Sequence, residues 1–255
     1  MKTNIEALIE SLPDSIVQHI QHLERIRQDF VANVSHELRT PLTVMHGYLE
    51  LLLSQLEINH PWHKIFLQMQ QQTARMENLV ENLLLLSRLE TEVQTKIAPQ
   101  PVAIAKLLSI IIKEAEQLSG EARHVISLEA DNNLTLHGTE QELHSLFSNI
   151  IFNAVKYTPA RGNIQVQWCY ENNKAYFVVK DTGIGIAAKH LPRITERFYR
   201  VDKARSRASG GTGLGLAIAK HVLIRHNGKL SVDSQVSKGT TFTCIFPKKR
   251  IFIAK

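Results

Sequence analysis

Apolar positions along the first ninety residues recur at steps of four and three, the spacing of one face of an α-helix. Phe30, Val34, Leu38, Leu42, Met45, Leu49, Leu52 and Leu56 form one such row. Trp62, Phe66, Met69, Thr73, Met76, Val80 and Leu83 form a second. Between them "EINHPWHK" breaks the pattern, with Asn59 and Pro61 as turn and helix-start residues. Two helices of roughly 30 to 40 residues joined by a short loop make an antiparallel hairpin. A lone hairpin covers only one side of each row. A homodimer is therefore expected, two hairpins building a four-helix bundle across a two-fold axis, the alternative being a hairpin packed on its own C-terminal domain.

The period changes after residue 90. "TEVQTKIAPQP" (91–101) holds two prolines and few apolar residues, which reads as a linker. Residues 102–119 read as a helix, and 124–130 and 134–137 as short strands. "TEQE" (139–142) predicts a capping box, Thr139 with Glu142, opening a helix over 140–157. "NIQVQWCY" and "KAYFVVKD" alternate on either side of "ENN", the pattern of a β-hairpin, and "KLSVDSQ" with "TTFTCIF" predicts a second strand pair. The predicted fold is α+β and multidomain. An N-terminal segment (1–17) leads into the helical hairpin (18–90) and the linker (91–101). A mixed α/β sandwich with helices on one sheet face (102–248) and a tail (249–255) follow.

Composition narrows the function classes. A hydrophobic share of 44% against 21% charged residues is that of a globular chain, so disorder is not expected. The net charge of +6 is interleaved along the chain except at "RFYRVDKARSR" (197–207) and "PKKR" (247–250). Those stretches suit an anionic cofactor or an acidic protein partner, and no nucleic-acid partner is expected. Cys169 and Cys244 lie far apart in strand-like runs without metal-ligand spacing, and read as buried thiols of a reducing compartment. The longest apolar run, "LVENLLLLSRL", is too short and too polar to span a bilayer, and Lys2 is followed by a mixed segment. A soluble, cytoplasmic chain is expected.

Three segments of the second half carry more than packing needs. Asn149, Asn153 and Tyr157 fall four apart in "NIIFNAVKYT" and share a helix face. Asparagine is a mediocre helix former and costly to bury unpaired, so two in register suggest a polar pocket, for instance a carbonyl on a hydrated Mg²⁺. Solvent-facing asparagines fit the spacing equally well. "VVKDTGIGI" ends a strand in Asp181, with Gly183 and Gly185 allowing close backbone approach; a carboxylate there suits an exocyclic amine, although a plain surface turn has the same form. "SGGTGLGLAIAKHVL" runs Gly211, Gly213 and Gly215 into an apolar helix, an anion-binding arrangement that is neither a dinucleotide fingerprint nor a P-loop, although a flexible connector has the same composition.

Taken together, "HELRTP", the asparagine helix, "DTGIGI", "ERFYRVD", "GTGLGLAI" and "SKGTTF" come in an order that resembles the sensor histidine kinases of two-component systems. The resemblance covers about residues 20 to 247. Within that family, "FVANVSHELRTPLTVMHGYLE" and "ITERFYRVDKARSR" look most like the phosphate-regulon sensor kinases.

The resemblance implies a dimerisation and histidine-phosphotransfer hairpin followed by an ATP-binding sandwich of the Bergerat (GHKL) type. It makes His36 the phosphoacceptor and Glu37 the group that orients the imidazole and takes its proton. Thr40 would align water for dephosphorylating the partner, and Arg39 would be either a charge near the phosphoryl group or a plain helix-surface residue. Pro41 frees the carbonyl of Glu37 and tends to kink the helix beside the nucleophile. In the ATP domain it makes Asn153 the Mg²⁺ ligand, sets Asn149 and Lys156 near the phosphates, and puts Tyr157 near the adenine. Asp181 would bind the adenine amine in a pocket shaped by Gly183 and Gly185. Phe198 would be a lid hinge packed on the domain, and Arg200 a γ-phosphate contact. Gly211, Thr212, Gly213, Leu214 and Gly215 would form the lid end and phosphate loop, and Thr241 would close the adenine pocket. ATP and Mg²⁺ are the implied cofactors, and the receiver aspartate of a response regulator the implied partner.

Relatives of this kind usually carry membrane helices and a PAS domain, so the full-length protein is expected to be anchored in the inner membrane. "ALIESLPDSIV" (7–17) looks like the first turns of a PAS domain and runs straight into "HLERIRQDF", so a sensor segment is expected to be missing between about residues 17 and 22. Two rival classes are an ATP-driven conformational machine of the gyrase or MutL kind and a non-catalytic scaffold for receivers. The His36 hairpin argues against the first, and the complete nucleotide boxes against the second.

Overall fold

A computed structural model describes residues 14–58, 60–91, 100–201 and 212–253. The chain divides into two compact units, 1–92 and 93–255.

The first unit is a helical hairpin: α1 (Asp14–Gln55), continuous through Pro41, packs along α2 (His63–Thr91). Each apolar row splits in two. Leu42 and Leu49 are buried, as are Thr73 and Val80 of the facing helix, each pair seven residues apart. The alternate positions Leu38, Met45 and Leu52 on α1, and Met69 and Met76 on α2, stay exposed. One heptad row thus closes the hairpin, and the next offers apolar surface whose burial is worth roughly 1.5–3 kcal/mol per side chain.

In the second unit, β1 (Gln100–Ala103) leads into α3 (Ile104–Ser119), β2 (Val125–Ala130) and β3 (Leu134–Gly138). Helix α4 (Glu140–Tyr157) precedes the hairpin of β4 (Asn163–Glu171) and β5 (Lys174–Asp181). Helix α5 (Gly215–Arg225), β6 (Lys229–Gln235), β7 (Gly239–Pro247) and β8 (Ile251–Ile253) complete it. The main sheet has the order β2-β4-β5-β7-β6, with β2 parallel to β4 and the other pairs antiparallel; a small sheet has the order β1-β3-β8. Ile164, Val166 and Trp168, then Ala175, Phe177 and Val179, then Phe242, Cys244 and Phe246 alternate onto one buried face of the main sheet. Phe147 of α4 reaches down to them, 4.5 Å from Phe177 between ring centroids. The helices therefore cover one sheet face, and the ends of β5 and α4 are set against each other.

Three expectations change. Gln100 and Pro101, in the stretch expected to be linker, pair with β3, and Ile251–Ile253 of the expected tail pairs with the other edge of that strand. A central strand carrying the fully buried Leu134 and Leu136 recruits both neighbours. The capping box does not form: Thr139 makes no side-chain cap. Glu142, which the box requires, instead places Oε1 3.1 Å from Arg225 Nη2 at the far end of α5. Both side chains are largely buried, so removing either partner strands a charge. Glu142→Gln is expected to destabilise the second unit by about 3 kcal/mol, read as a drop in the urea midpoint at unchanged m.

His226 follows α5, buried, with Nδ1 donating to the Val222 carbonyl at 2.8 Å. Burial first, and then the Arg250 and Arg225 charges, hold it below its ordinary value of 6.5, against the Val222 hydrogen bond. The unfolded chain therefore takes up this proton first as the pH falls. Its contribution to stability is complete above about pH 6.5 and is lost as the pH falls from there toward the lower folded value. Denaturant midpoints between pH 7 and 5 should show a shallower acid slope in His226→Gln.

Candidate functional site

The apolar row of β5 ends in a buried carboxylate, Asp181, on the same face as Phe177 and Val179. Its Oδ1 accepts two backbone N–H groups, Gly183 at 2.8 Å and Thr240 at 3.2 Å. Burial raises the carboxyl's proton affinity, and the two amides oppose it. Both of these bonds fall on Oδ1, which leaves Oδ2 as the acceptor for a ligand amine.

Around Asp181 three chain segments interlock. Ile184 N donates to the Tyr157 carbonyl at 3.1 Å, and Ser237 N to the Ile184 carbonyl at 2.8 Å. Ile186 N donates to Ser234 Oγ at 2.8 Å, which in turn lies 3.0 Å from the Gly239 carbonyl and 2.9 Å from Thr240 Oγ1. One Ser234 proton serves Gly239, so Thr240 donates to Ser234. Gly185 has φ +67° and leaves room for no side chain, because a Cβ would strike the Gln235 carbonyl. Gly183 is equally closed, since a Cβ there would lie 2.6 Å from both Asp181 Oδ1 and the Tyr157 carbonyl. The glycines of "DTGIG" are thus required first by the protein's own backbone.

Thr241, expected to close this pocket, pairs with Lys180 and Asp233, whereas Thr240 pairs with Asp181. Strand parity sets Thr241 on the opposite sheet face and makes Thr240 the pocket residue. The signal was in the sequence: Phe242, Cys244 and Phe246 mark the buried face, and Thr240 shares their parity.

On α4 the asparagine row divides. Asn149 Nδ2 donates to the Ser145 carbonyl at 2.7 Å, and its Oδ1 fills the space a side chain at Gly215 would need. Asn149 therefore packs α4 on the start of α5. Asn153, half-buried one turn on, has no hydrogen-bond partner for its amide among the described residues. Lys156 Nζ stands 5.5 Å from the Tyr157 ring centroid. Among the described residues no group of three or more His, Cys, Asp or Glu is placed to hold a metal. A single amide oxygen suits a hydrated Mg²⁺ carried in on phosphates rather than an all-protein cage.

Across the pocket, Phe198 N donates to the Gly213 carbonyl at 2.9 Å, and Gly213 (φ +74°) lies against the Phe198 backbone. Residues 202–211, Gly211 among them, lie outside the described residues. Phe198, expected to pack on the domain, has a side chain that is 55% exposed. Its backbone, at φ +60°, makes a neck with Gly213 instead. Thr212 Oγ1 accepts the Leu214 N–H at 3.3 Å, and Leu214 is fully buried at the start of α5. Arg200 Nε and Nη2 are buried with no hydrogen-bond partner among the described residues. Two buried guanidinium nitrogens without a partner among the described residues suit an anion.

In the hairpin, His36, Glu37, Arg39 and Thr40 lie on α1, with Glu37, Arg39 and Thr40 exposed. No described helix is long and apolar enough to cross a membrane.

Residues 26–92 match the His Kinase A (phospho-acceptor) domain, and residues 138–250 the histidine kinase-, DNA gyrase B- and HSP90-like ATPase. The chain is 52% identical over 236 residues to the phosphate regulon sensor protein PhoR of Pseudomonas aeruginosa, covering 92% of this chain and 53% of that protein. PhoR of Haemophilus influenzae is 39% identical over 230 residues, covering 89% of this chain and 53% of that protein. The chain thus spans about half the length of these relatives. Among solved structures, full-length ShkA in complex with AMPPNP superposes with a TM-score of 0.71 at 26% identity, over 86% of this chain and 45% of that one.

Proposed function

We propose that this chain, which belongs to the sensor histidine kinases, transfers the γ-phosphoryl group of ATP to His36 and passes it to an aspartate of a response-regulator receiver. The observation that carries the reading is Asp181: a buried carboxylate with Oδ1 saturated by backbone and Oδ2 left over, on the same chain as the "HELRTP" helix.

In this reading Asp181 Oδ2 accepts the adenine amine, and Thr240 holds the carboxylate in place. Asn153 holds Mg²⁺, which supplies charge neutralisation on the phosphates. Arg200 meets the terminal phosphate, where its buried guanidinium finds its counter-charge. The neck at Phe198 and Gly213 ties the stretch that carries Arg200 to the start of α5. His36 attacks in line while Glu37 takes the imidazole proton. Thr40, one turn after His36, orients water for hydrolysis of the phosphorylated partner, so phosphatase activity accompanies the kinase. The exposed heptad row of Leu38, Met45, Leu52, Met69 and Met76 supports a homodimer, since a second hairpin would bury it. Similarity to the two PhoR proteins supports a role in phosphate-starvation signalling.

Incubation with γ-labelled ATP and Mg²⁺ tests the reading. Acid-labile, base-stable label on the chain is the expected result. ADP release without label would replace it with an ATP-driven conformational machine, and absence of both with a receiver-binding scaffold.

A further inference from the structure

The segment before the neck contains a cluster that the proposed phosphoryl transfer does not use. His190 Nδ1 lies 2.7 Å from Tyr199 Oη, and the Arg193 guanidinium sits 4.3 Å from the centre of the Tyr199 ring. Arg193 is itself held, with Nε 3.1 and 3.3 Å from the two Glu196 carboxylate oxygens. Glu196 N donates to the Arg193 carbonyl at 2.8 Å, and Tyr199 N to the Glu196 carbonyl at 3.3 Å. Tyr199 is thereby fixed at its hydroxyl, its ring face and its backbone.

On either side of it stand the two groups that need fixing. Phe198 adopts φ +60°, which a side-chain-bearing residue keeps only where its surroundings over-determine it. Arg200 carries Nε and Nη2 buried and without a partner among the described residues. A flexible arginine recognises an anion well only when its approach is set beforehand, because ordering it on binding costs rotamer entropy.

The geometry points to Tyr199 as a positioning residue, clamped by His190 and Arg193, that aims Arg200 at the terminal phosphate of the nucleotide. This rests on Arg200 being the γ-phosphate contact. Its particular consequence is discrimination between a nucleoside triphosphate and a diphosphate, since only the former presents that phosphate.

The test is competition binding to the full chain with Mg²⁺, comparing a non-hydrolysable ATP analogue with ADP. Arg200→Ala should remove most of the preference for the triphosphate. Tyr199→Phe, which deletes only the hydroxyl, should lower that preference about fivefold, the worth of one net hydrogen bond, with ADP affinity unchanged. His190→Ala should do the same, and the double variant no more than either alone, because both remove one interaction. Equal weakening of both nucleotides would reduce Tyr199 to a structural residue and overturn the inference. So would an intact preference in Tyr199→Phe alongside its loss in Arg200→Ala. An intact preference in Arg200→Ala would overturn both the phosphate assignment of Arg200 and the inference built on it.

Discussion

Replacing His36 by alanine is expected to reduce phosphoryl incorporation from γ-labelled ATP to background while leaving nucleotide affinity unchanged. The imidazole is the nucleophile of the proposed reaction, and no general base or bound metal substitutes for a missing nucleophile. His36 lies on α1, in the first unit, whereas the Asp181 pocket belongs to the second. A substitution there removes the acceptor without touching the groups that bind nucleotide. Alanine also suits a helix interior, so the hairpin should keep its stability. Glu37→Gln provides the graded companion. It keeps the helix and the acceptor but removes the proton acceptor, and should slow incorporation by about a hundredfold, as expected for loss of a general base. Residual label in His36→Ala with the same acid lability would move the acceptor to another of the chain's 12 histidines.

The second large effect is expected at Asp181. Asparagine is nearly isosteric and retains an oxygen that accepts the Gly183 and Thr240 N–H groups, bonds of 2.8 and 3.2 Å in the native pocket. The turn and the sheet should therefore survive. What changes is the second atom: an acceptor oxygen becomes an NH₂ donor, facing the donor amine of adenine. A lost hydrogen bond plus an unpaired buried donor is worth about 2–3 kcal/mol, or roughly a hundredfold in nucleotide affinity. Calorimetric titration of Asp181→Asn with ADP and Mg²⁺, alongside its urea midpoint, separates the two consequences. Weakened binding at an unchanged midpoint supports the adenine role, and unweakened binding removes it. Asp181→Ala does not serve, because it also strands the two N–H donors and confounds folding with binding.

These expectations rest unevenly on sequence and structure. The two helices of the hairpin, the α4 helix and the four strands β4 to β7 were legible as patterns, because their periods of 3.6 and 2 are properties of the local backbone. Asp181, Gly183 and Gly185 stood out as a strand-end carboxylate beside glycines, a pattern a plain surface turn shares, and the Oδ1 bonds and closed glycine positions separate the two. Thr240 was within reach as well. Counting parity from Phe242 assigns Thr240, and not Thr241, to the buried face.

Other features were not available from any local pattern. Glu142 has the spacing of a capping box, but Arg225, 83 positions later in the chain, takes its carboxylate. Asn149 and Asn153 are equivalent on a helical wheel. Gly215 of another helix makes the first a packing group and leaves the second open. Phe198 reads as a hydrophobic anchor, yet it sits exposed at a left-handed backbone position where its N–H bonds the Gly213 carbonyl. The tail residues Ile251–Ile253 become a strand because β3 has a free edge, and Tyr199 gains its importance from a histidine nine residues earlier.

By itself, then, the amino-acid sequence determined the elements, their apolar faces and the chemical types present at the site, all of which depend on neighbours within one or two turns. Only the tertiary structure decided which of two equivalent heptad rows is buried, which asparagine has no partner among the described residues, and which distant charge takes the Glu142 carboxylate. Those choices are made by contacts between residues far apart in the chain, whose closing entropy is repaid only when the whole unit packs.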